Sequence, residues 1–275
     1  MFNPDGPDSE GEFLELTNTG SFTIDLGGAR FTRGIEIIFD PGTLLDPGES
    51  LVIARVGNSV AAAKAAYSGA LDNGGDRLTL KAADGSIIVD FAYGDDADWP
   101  DMTDGGGYSL ELVSPNDPSA DLGSPLSWRT SHDAGGSPGS APAGLRYAEW
   151  RASHGLGASI GGDDHDGDGL SDIEEFASGT DPVAPDGRGT FGVTRLGDGS
   201  GIVVSMLRSW DALDLSLQIE VSDSLSTNSW HPVDPASFVG STRVPESRAD
   251  LLEFRVTPAP GSARQFVRTR YTVLQ

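Results

Sequence analysis

The sequence predicts a mainly β chain, with two β modules and a short helical connector between them. Three observations predict it. Short apolar runs, several alternating with period two, recur between turn signals along most of the chain. The 37 glycines and 17 prolines supply those turns. Long apolar patterns of helical period are few. At 275 residues the chain is long enough for two or three domains.

The first module is expected over residues 1–140. Glu12 to Asn18 alternates as a strand and stops at Asn18-Thr19-Gly20. Thr23 to Leu26 follows, then Ala29 to Thr32, with Ile35 to Phe39 halted by Asp40-Pro41-Gly42. Asp46-Pro47-Gly48 turns into Glu49 to Ala54. Asn58 to Tyr67 reads as a helix, because Ser59 is a suitable cap, alanines dominate and Gly69 follows. Arg77 to Leu80 and Ser86 to Tyr93 flank the hairpin signal Ala83-Asp84-Gly85, and Tyr108 to Leu112 is the last strand. Seven or eight short strands at this spacing make a sandwich.

Several of these runs together resemble the lamin tail domain family. They are Gly11 to Gly20 with Asp25 to Gly28, Pro47 to Ala54, Asn73 to Leu80, Asp90 to Tyr93, Gly107 to Leu112, Ser127 to Ser131 and Gly135 to Gly139. The resemblance implies an immunoglobulin-like β-sandwich without a catalytic motif, of a kind found in secreted and surface proteins of bacteria. The chain starts in what reads as the end of a strand, so it is expected to be a fragment of a longer protein. Lamin tails of the nucleus contact DNA and chromatin. That role is not carried over, because the domain is acidic and no basic stripe is visible in its sequence. Asp95, Asp96, Asp98, Asp101 and Asp104 crowd a loop around Trp99. They read either as a second, weaker cation site or as a solvated turn with Trp99 packed on the sandwich. The turn is preferred, since the spacing lacks a coordination pattern.

Residues 141–186 are expected to form a helical linker. Leu145 to His154 reads as a helix ended by Gly155, and Asp172 to Ser178 as a second helix with Ile173, Phe176 and Ala177 inward. Between them lies Asp164-His165-Asp166-Gly167-Asp168-Gly169-Leu170-Ser171-Asp172-Ile173-Glu174-Glu175. Acidic residues at positions 1, 3, 5, 9 and 12 with glycine at 6 give the spacing of an EF-hand-type calcium loop. Hard divalent cations need six to eight oxygens, which one loop supplies only by wrapping the ion. The expected ligands are the side chains of Asp164, Asp166 and Asp168, the Leu170 carbonyl, Asp172 directly or through water, and Glu175 through both oxygens. Asp163 and Asp181 are further candidates. The segment, with Gly179-Thr180-Asp181-Pro182 after it, resembles the calcium-binding repeats of thrombospondin type 3 and dockerin-like segments. No second loop pairs with it and no entering helix abuts it, so the expected role of Ca2+ is structural rather than sensory.

A second β module is expected over residues 187–275. Its strands are Thr190 to Val193, Ile202 to Leu207, Leu215 to Val221, Leu251 to Val256 and Phe266 to Val273. The run Ile219 to Leu225, with Trp230 close behind, is similar to C-terminal β modules that follow such calcium segments. Arg255, Arg264, Arg268 and Arg270 are candidates for an anion patch, though a solvated sheet face is the commoner role.

The net charge of −24 repels nucleic acid and anionic membrane and attracts divalent cations. With no cysteine there is no disulfide framework, thiol nucleophile or cysteine-zinc site. Neither a signal peptide nor a membrane span of ~20 apolar residues is visible. His132, His154, His165 and His231 are not in zinc spacing, and there is no Gly-x-Ser-x-Gly run or phosphate loop. No catalytic residue is assigned. The expected function is a non-catalytic, calcium-stabilised scaffold, adhesion or interaction module of a secreted or cell-surface bacterial protein. The alternative is a polysaccharide- or protein-binding accessory module of an extracellular hydrolase.

Overall fold

The computed structural model describes residues 1–158, 162–185, 190–244, 247–258 and 264–274. It is mainly β, in sheets consistent with immunoglobulin-like sandwich modules. The chain divides into two compact units, Met1–Ala143 and Gly144–Gln275. All but residues 141–143 of the segment expected as a separate linker therefore fall in the second unit. The expected boundary at 186–187 lies outside the described residues.

The first unit holds a helical turn, α1 (Asp8–Gly11), and the strands β1 (Phe13–Thr17), β2 (Ile24–Asp25), β3 (Arg30–Arg33), β4 (Ile35–Glu36), β5 (Leu44–Leu45), β6 (Ser50–Arg55), β7 (Ala65–Gly69), β8 (Asp76–Lys81), β9 (Ile87–Tyr93), β10 (Leu110–Leu112) and β11 (Trp128–Thr130). The larger sheets run β1-β6-β7-β4 and β3-β8-β9, with the pairs β2-β5 and β10-β11 beside them. One core draws on both larger sheets: Ile35, Ile53 and Tyr67 from the first, Phe31, Leu78 and Leu80 from the second. Trp99 is buried in the same core, as expected for the turn reading of its loop.

The helix expected over Asn58 to Tyr67 does not form. Ala65 and Ala66 lie in β7, which pairs parallel with Ile53 and Ala54 of β6. Helix propensity is a weak prior, and burial of one aromatic side chain overrides it here. Tyr67 is fully buried, and its hydroxyl donates to Glu12 Oε1 at 2.5 Å. The Leu71 N–H donates to the same oxygen at 2.7 Å, and Arg55 Nη1 stands 3.9 Å from Oε2. The tyrosine hydroxyl and a backbone amide thus satisfy one oxygen of a carboxylate that is itself fully buried, while Oε2 is left without a hydrogen bond.

In the second unit, α2 (Tyr147–Ser153) and α3 (Asp172–Ser178) precede β12 (Phe191–Arg195), β13 (Ile202–Ser209), β14 (Leu215–Ser222), β15 (His231–Pro232), β16 (Phe238–Val244), β17 (Ala249–Val256) and β18 (Phe266–Val273). The sheets run β12-β13-β17-β16 and β15-β14-β18. Strands β15 and β16 were not expected from the sequence. Chain entry and exit meet on one short stretch. The Leu145 N–H donates to Asp211 O, Leu213 N–H donates to Leu145 O, and Leu274 N–H donates to Asp214 O. Both helices share one cluster with the sheet: Tyr147, Trp150, Phe176 and Ala177 pack with Leu215, and Tyr271 borders them. The Phe176 ring centroid lies 5.4 Å from that of Tyr147 and 5.3 Å from that of Trp150. This shared core makes the helical segment part of the module. Among the described residues no helix is long and apolar enough to cross a membrane.

Burial pushes the Glu12 carboxyl above its ordinary value of 4.5, outweighing the Tyr67 and Leu71 hydrogen bonds and the Arg55 charge. The folded chain then holds this proton more tightly than the unfolded chain. The stability contribution of Glu12 falls as pH rises from the unfolded value through the folded one, and the cost persists above it. Replacing Glu12 with glutamine removes this titration. Urea unfolding at intervals from about pH 4 to about pH 7 is expected to show the variant gaining on the parent as pH rises.

Candidate metal centre

The loop between α2 and α3 is shaped by its own aspartates. Asp164 Oδ1 accepts from the Gly167 N–H at 2.8 Å, and its Oδ2 from the Gly169 N–H at 3.1 Å. Asp166 Oδ1 accepts from the Asp168 N–H at 3.1 Å, and Asp168 Oδ1 from the Leu170 N–H at 2.9 Å. Carboxylates that hold the amide two or three residues on curl the backbone and turn successive carboxylates inward. Gly169, at position 6, has φ +98°, in the region that favours glycine, with open space where a Cβ would stand. Its glycine requirement is therefore one of backbone conformation alone. Asp164, Asp166 and Asp168 each bring a carboxylate oxygen within 4.8 Å of the others. Asp166 Oδ2 is buried and has no hydrogen-bond partner. An all-oxygen set with a buried acceptor left over fits a hard divalent cation.

The exit helix begins as its sequence dictates. Ser171 and Glu174 form a reciprocal cap, with the Ser171 N–H and Oγ–H donating to Glu174 Oε2 at 2.8 and 2.6 Å. Glu174 is occupied there, and Glu175 follows with its side chain fully buried. Gly179, at φ +77°, ends the helix by donating its N–H to Glu175 O.

The remaining candidate ligands fall differently. Asp172, at position 9, is fully buried and bonds Arg151 Nη1, and His165 Nδ1 lies 3.0 Å from its Oδ2. Arg151 also donates from Nε to Gly157 O at 2.9 Å, and its Nη2 stands 3.6 Å from Asp163 Oδ2. Asp163, His165 and Asp172 do converge, but the Arg151 guanidinium already supplies the cation among them. Asp163 also closes the loop through its carbonyl, which accepts from the Asp172 N–H at 2.7 Å. Asp181 accepts from the Val183 N–H in a turn after α3. Asp163, Asp172, Glu175 and Asp181 are not among the three carboxylates that converge. Leu170, the expected carbonyl donor, is half-buried beside it.

Sequence reading missed Arg151. Its side chain is 4 % exposed. The signal was available: an arginine two positions before the end of a helix, with acidic residues shortly after it. The candidate arginine patch does not assemble as a patch. Arg268 and Arg270 both bond Glu220 across β14 and β18, and Arg268 stacks on Trp230 with its guanidinium carbon 4.3 Å from the ring centroid. Arg255 belongs to β17, in the other sheet. In the first unit, Asp104 Oδ1 accepts from Asn3 Nδ2 at 2.6 Å, and the Asp95–Asp104 group forms no metal-ligating cluster among the described residues.

A buried ion pair broken on one side leaves an uncompensated charge. Arg151→Met is therefore expected to cost ~3–5 kcal/mol in denaturant unfolding of the second unit, and adding Asp172→Leu to recover part of that loss.

Residues 1–95 match the family described as LTD: Lamin Tail Domain. No curated protein matches the chain. The matched segment holds β1 to β9 and thus both larger sheets of the first unit. By this match residues 1–95 are similar to the lamin tail domains, a non-catalytic immunoglobulin-like family.

Proposed function

We propose that the chain is a non-catalytic, calcium-stabilised region of a secreted or cell-surface bacterial protein, serving as a scaffold, adhesion or interaction module. The observation that carries this reading is the loop itself: carboxylates in calcium spacing, of which Asp164, Asp166 and Asp168 converge. These three would hold the ion, with the Leu170 carbonyl and Glu175 completing the oxygen set. Asp172 would act through water, since its own oxygens serve Arg151 and His165. The ion supplies no chemistry beyond charge neutralisation and cross-linking of the loop to α3. A single loop without a partner has no second helix pair to open, so the ion acts as a fastener rather than as a trigger. The proposal extends the non-catalytic character of the matched family to the whole chain.

Calcium titration by calorimetry, with thermal melts in calcium and in chelator, tests the proposal. Saturating calcium is expected to add about 1–4 kcal/mol to the stability of the second unit. Asp166→Asn combined with Glu175→Gln is expected to abolish the binding heat and to make the two melts coincide. A parent protein whose melting point ignores calcium would refute the reading.

A further inference from the structure

The outer face of the β3-β8-β9 sheet carries a charge pattern opposite to that of the chain. Across the three strands Arg30 pairs with Lys81, and Lys81 with Ile87. In the next row Arg33 stands opposite Thr79, and Thr79 opposite Asp90. Directly paired residues place their side chains on one face. Arg77 joins that face through Asp90, donating from Nε and Nη2 at 2.9 and 2.6 Å, while Thr79 donates to Asp90 at 2.7 Å. Arg77 and Thr79, with Arg33 nearby, hold the Asp90 carboxyl at about 2, so it stays charged and offsets one cation only. Four cations thus face one carboxylate in a protein of net charge −24.

Two features separate this face from an ordinary solvated sheet. Arg30 and Lys81 are like charges directly opposite each other, an arrangement that destabilises a sheet. Both are only partly exposed, and among the described residues neither has an ion-pair partner. A cost of this kind, uncompensated within the fold, is expected where an external anion removes it. The second feature is the β9 edge. The far side of β3 is covered by the bridge from Arg30 to Ile38, whereas β9 ends the sheet order. Among the described residues, no backbone hydrogen bond reaches Ile87–Asp90 from outside the β8 ladder. Ile87 and Ile88 beside this edge are 61% and 47% exposed. Phe91, further along β9, stacks on Trp128 at 5.6 Å, so the open stretch is the first half of the strand.

We propose that the β9 edge and the adjoining cationic face form a docking site for an extended acidic segment of a partner protein. The segment adds to the sheet as a strand along Ile87–Asp90, giving main-chain hydrogen bonds. Apolar residues in it cover Ile87 and Ile88. Its carboxylates reach Lys81 and Arg77, one strand spacing of ~4.8 Å beyond β9, while Arg30 and Arg33 add to the attracting field. A polypeptide fits better than a polysaccharide or nucleic acid. The open edge offers backbone donors and acceptors, and the face has no aromatic ring on which a sugar or base could stack. The site lies in the unit without the metal loop, so it stands or falls independently of calcium.

Fluorescence anisotropy with a labelled peptide of about a dozen alternating glutamate and valine residues, in chelator, tests the proposal. Binding is expected, weakened about tenfold by Lys81→Glu and weakened again by added salt. A proline at the centre of the peptide is expected to abolish it, since proline removes a ladder donor. With peptide absent, the same Lys81→Glu change is expected to raise the melting temperature of the first unit by ~1–3 °C, because it replaces a like-charge pair with an attractive one. No binding by the parent protein would overturn the proposal, as would equal binding by the Lys81→Glu variant. Insensitivity to the proline would overturn the edge pairing, and tighter binding of polyuronate or duplex DNA to the same face would overturn the choice of partner.

Discussion

Both units depend on one interaction: an aspartate carboxylate accepting the backbone N–H two residues further on. Asp25 holds Gly27 in this way, Asp72 holds Gly74, Asp84 holds Ser86, Asp121 holds Gly123, Asp198 holds Ser200 and Asp234 holds Ala236. A chain of short strands leaves much of its backbone in turns, where amides find no ladder partner. The carboxylate provides an acceptor on the spot and fixes the direction in which the next strand departs. Part of the net charge of −24 is thus turn chemistry, which composition alone cannot distinguish from affinity for cations. The segment from Asp164 to Leu170 uses the same interaction twice in succession, at Asp166 and Asp168, after Asp164 has accepted from the amides three and five residues on, with no strand between the turns. What is punctuation elsewhere becomes a cage there.

The elements legible in the sequence were those whose pattern is local. Alternation marked β1 and β14, the turn signal Ala83-Asp84-Gly85 marked the start of β9, and the inward apolar positions Ile173, Phe176 and Ala177 with the stop at Gly179 marked α3. The run Asn58 to Tyr67 misled because alanine content is a local signal while its decisive contact is distant. Tyr67 meets Glu12 across 55 positions of sequence. Strands β15 and β16 lacked the alternation of their neighbours: β15 is two residues long, and β16 carries a bulge at Phe238 to Gly240. In the aspartate loop, spacing identified the three converging aspartates but could not show that position 9 is occupied from within. That depends on Arg151, which comes from another helix.

Buried charges are the part of this structure that apolar periodicity does not see. Glu12, Arg129, Arg151, Asp172 and Asp250 are all nearly or fully buried. Each is held by specific partners: Asp250, for example, accepts from Trp210 Nε1 at 2.9 Å, with Arg208 Nη2 3.6 Å from its other oxygen. Small sandwiches with thin cores gain orientation from such contacts, because a displaced partner leaves a charge stranded. The direct pairing of like charges at Arg30 and Lys81 contrasts with this economy, and that contrast makes the outer sheet face conspicuous.

The meeting of entry and exit in the second unit has a mechanical consequence. Leu145 is tied to Asp211 and Leu213, and Leu274 to Asp214, so both chain ends of the unit are anchored within four residues of one another. Tension applied through the polypeptide on either side would converge on this stretch. The load would pass through those few hydrogen bonds first, before it reached the helices, the aspartate loop or the β12-β13-β17-β16 sheet. The core of the unit would bear such a load only after that clasp gave way.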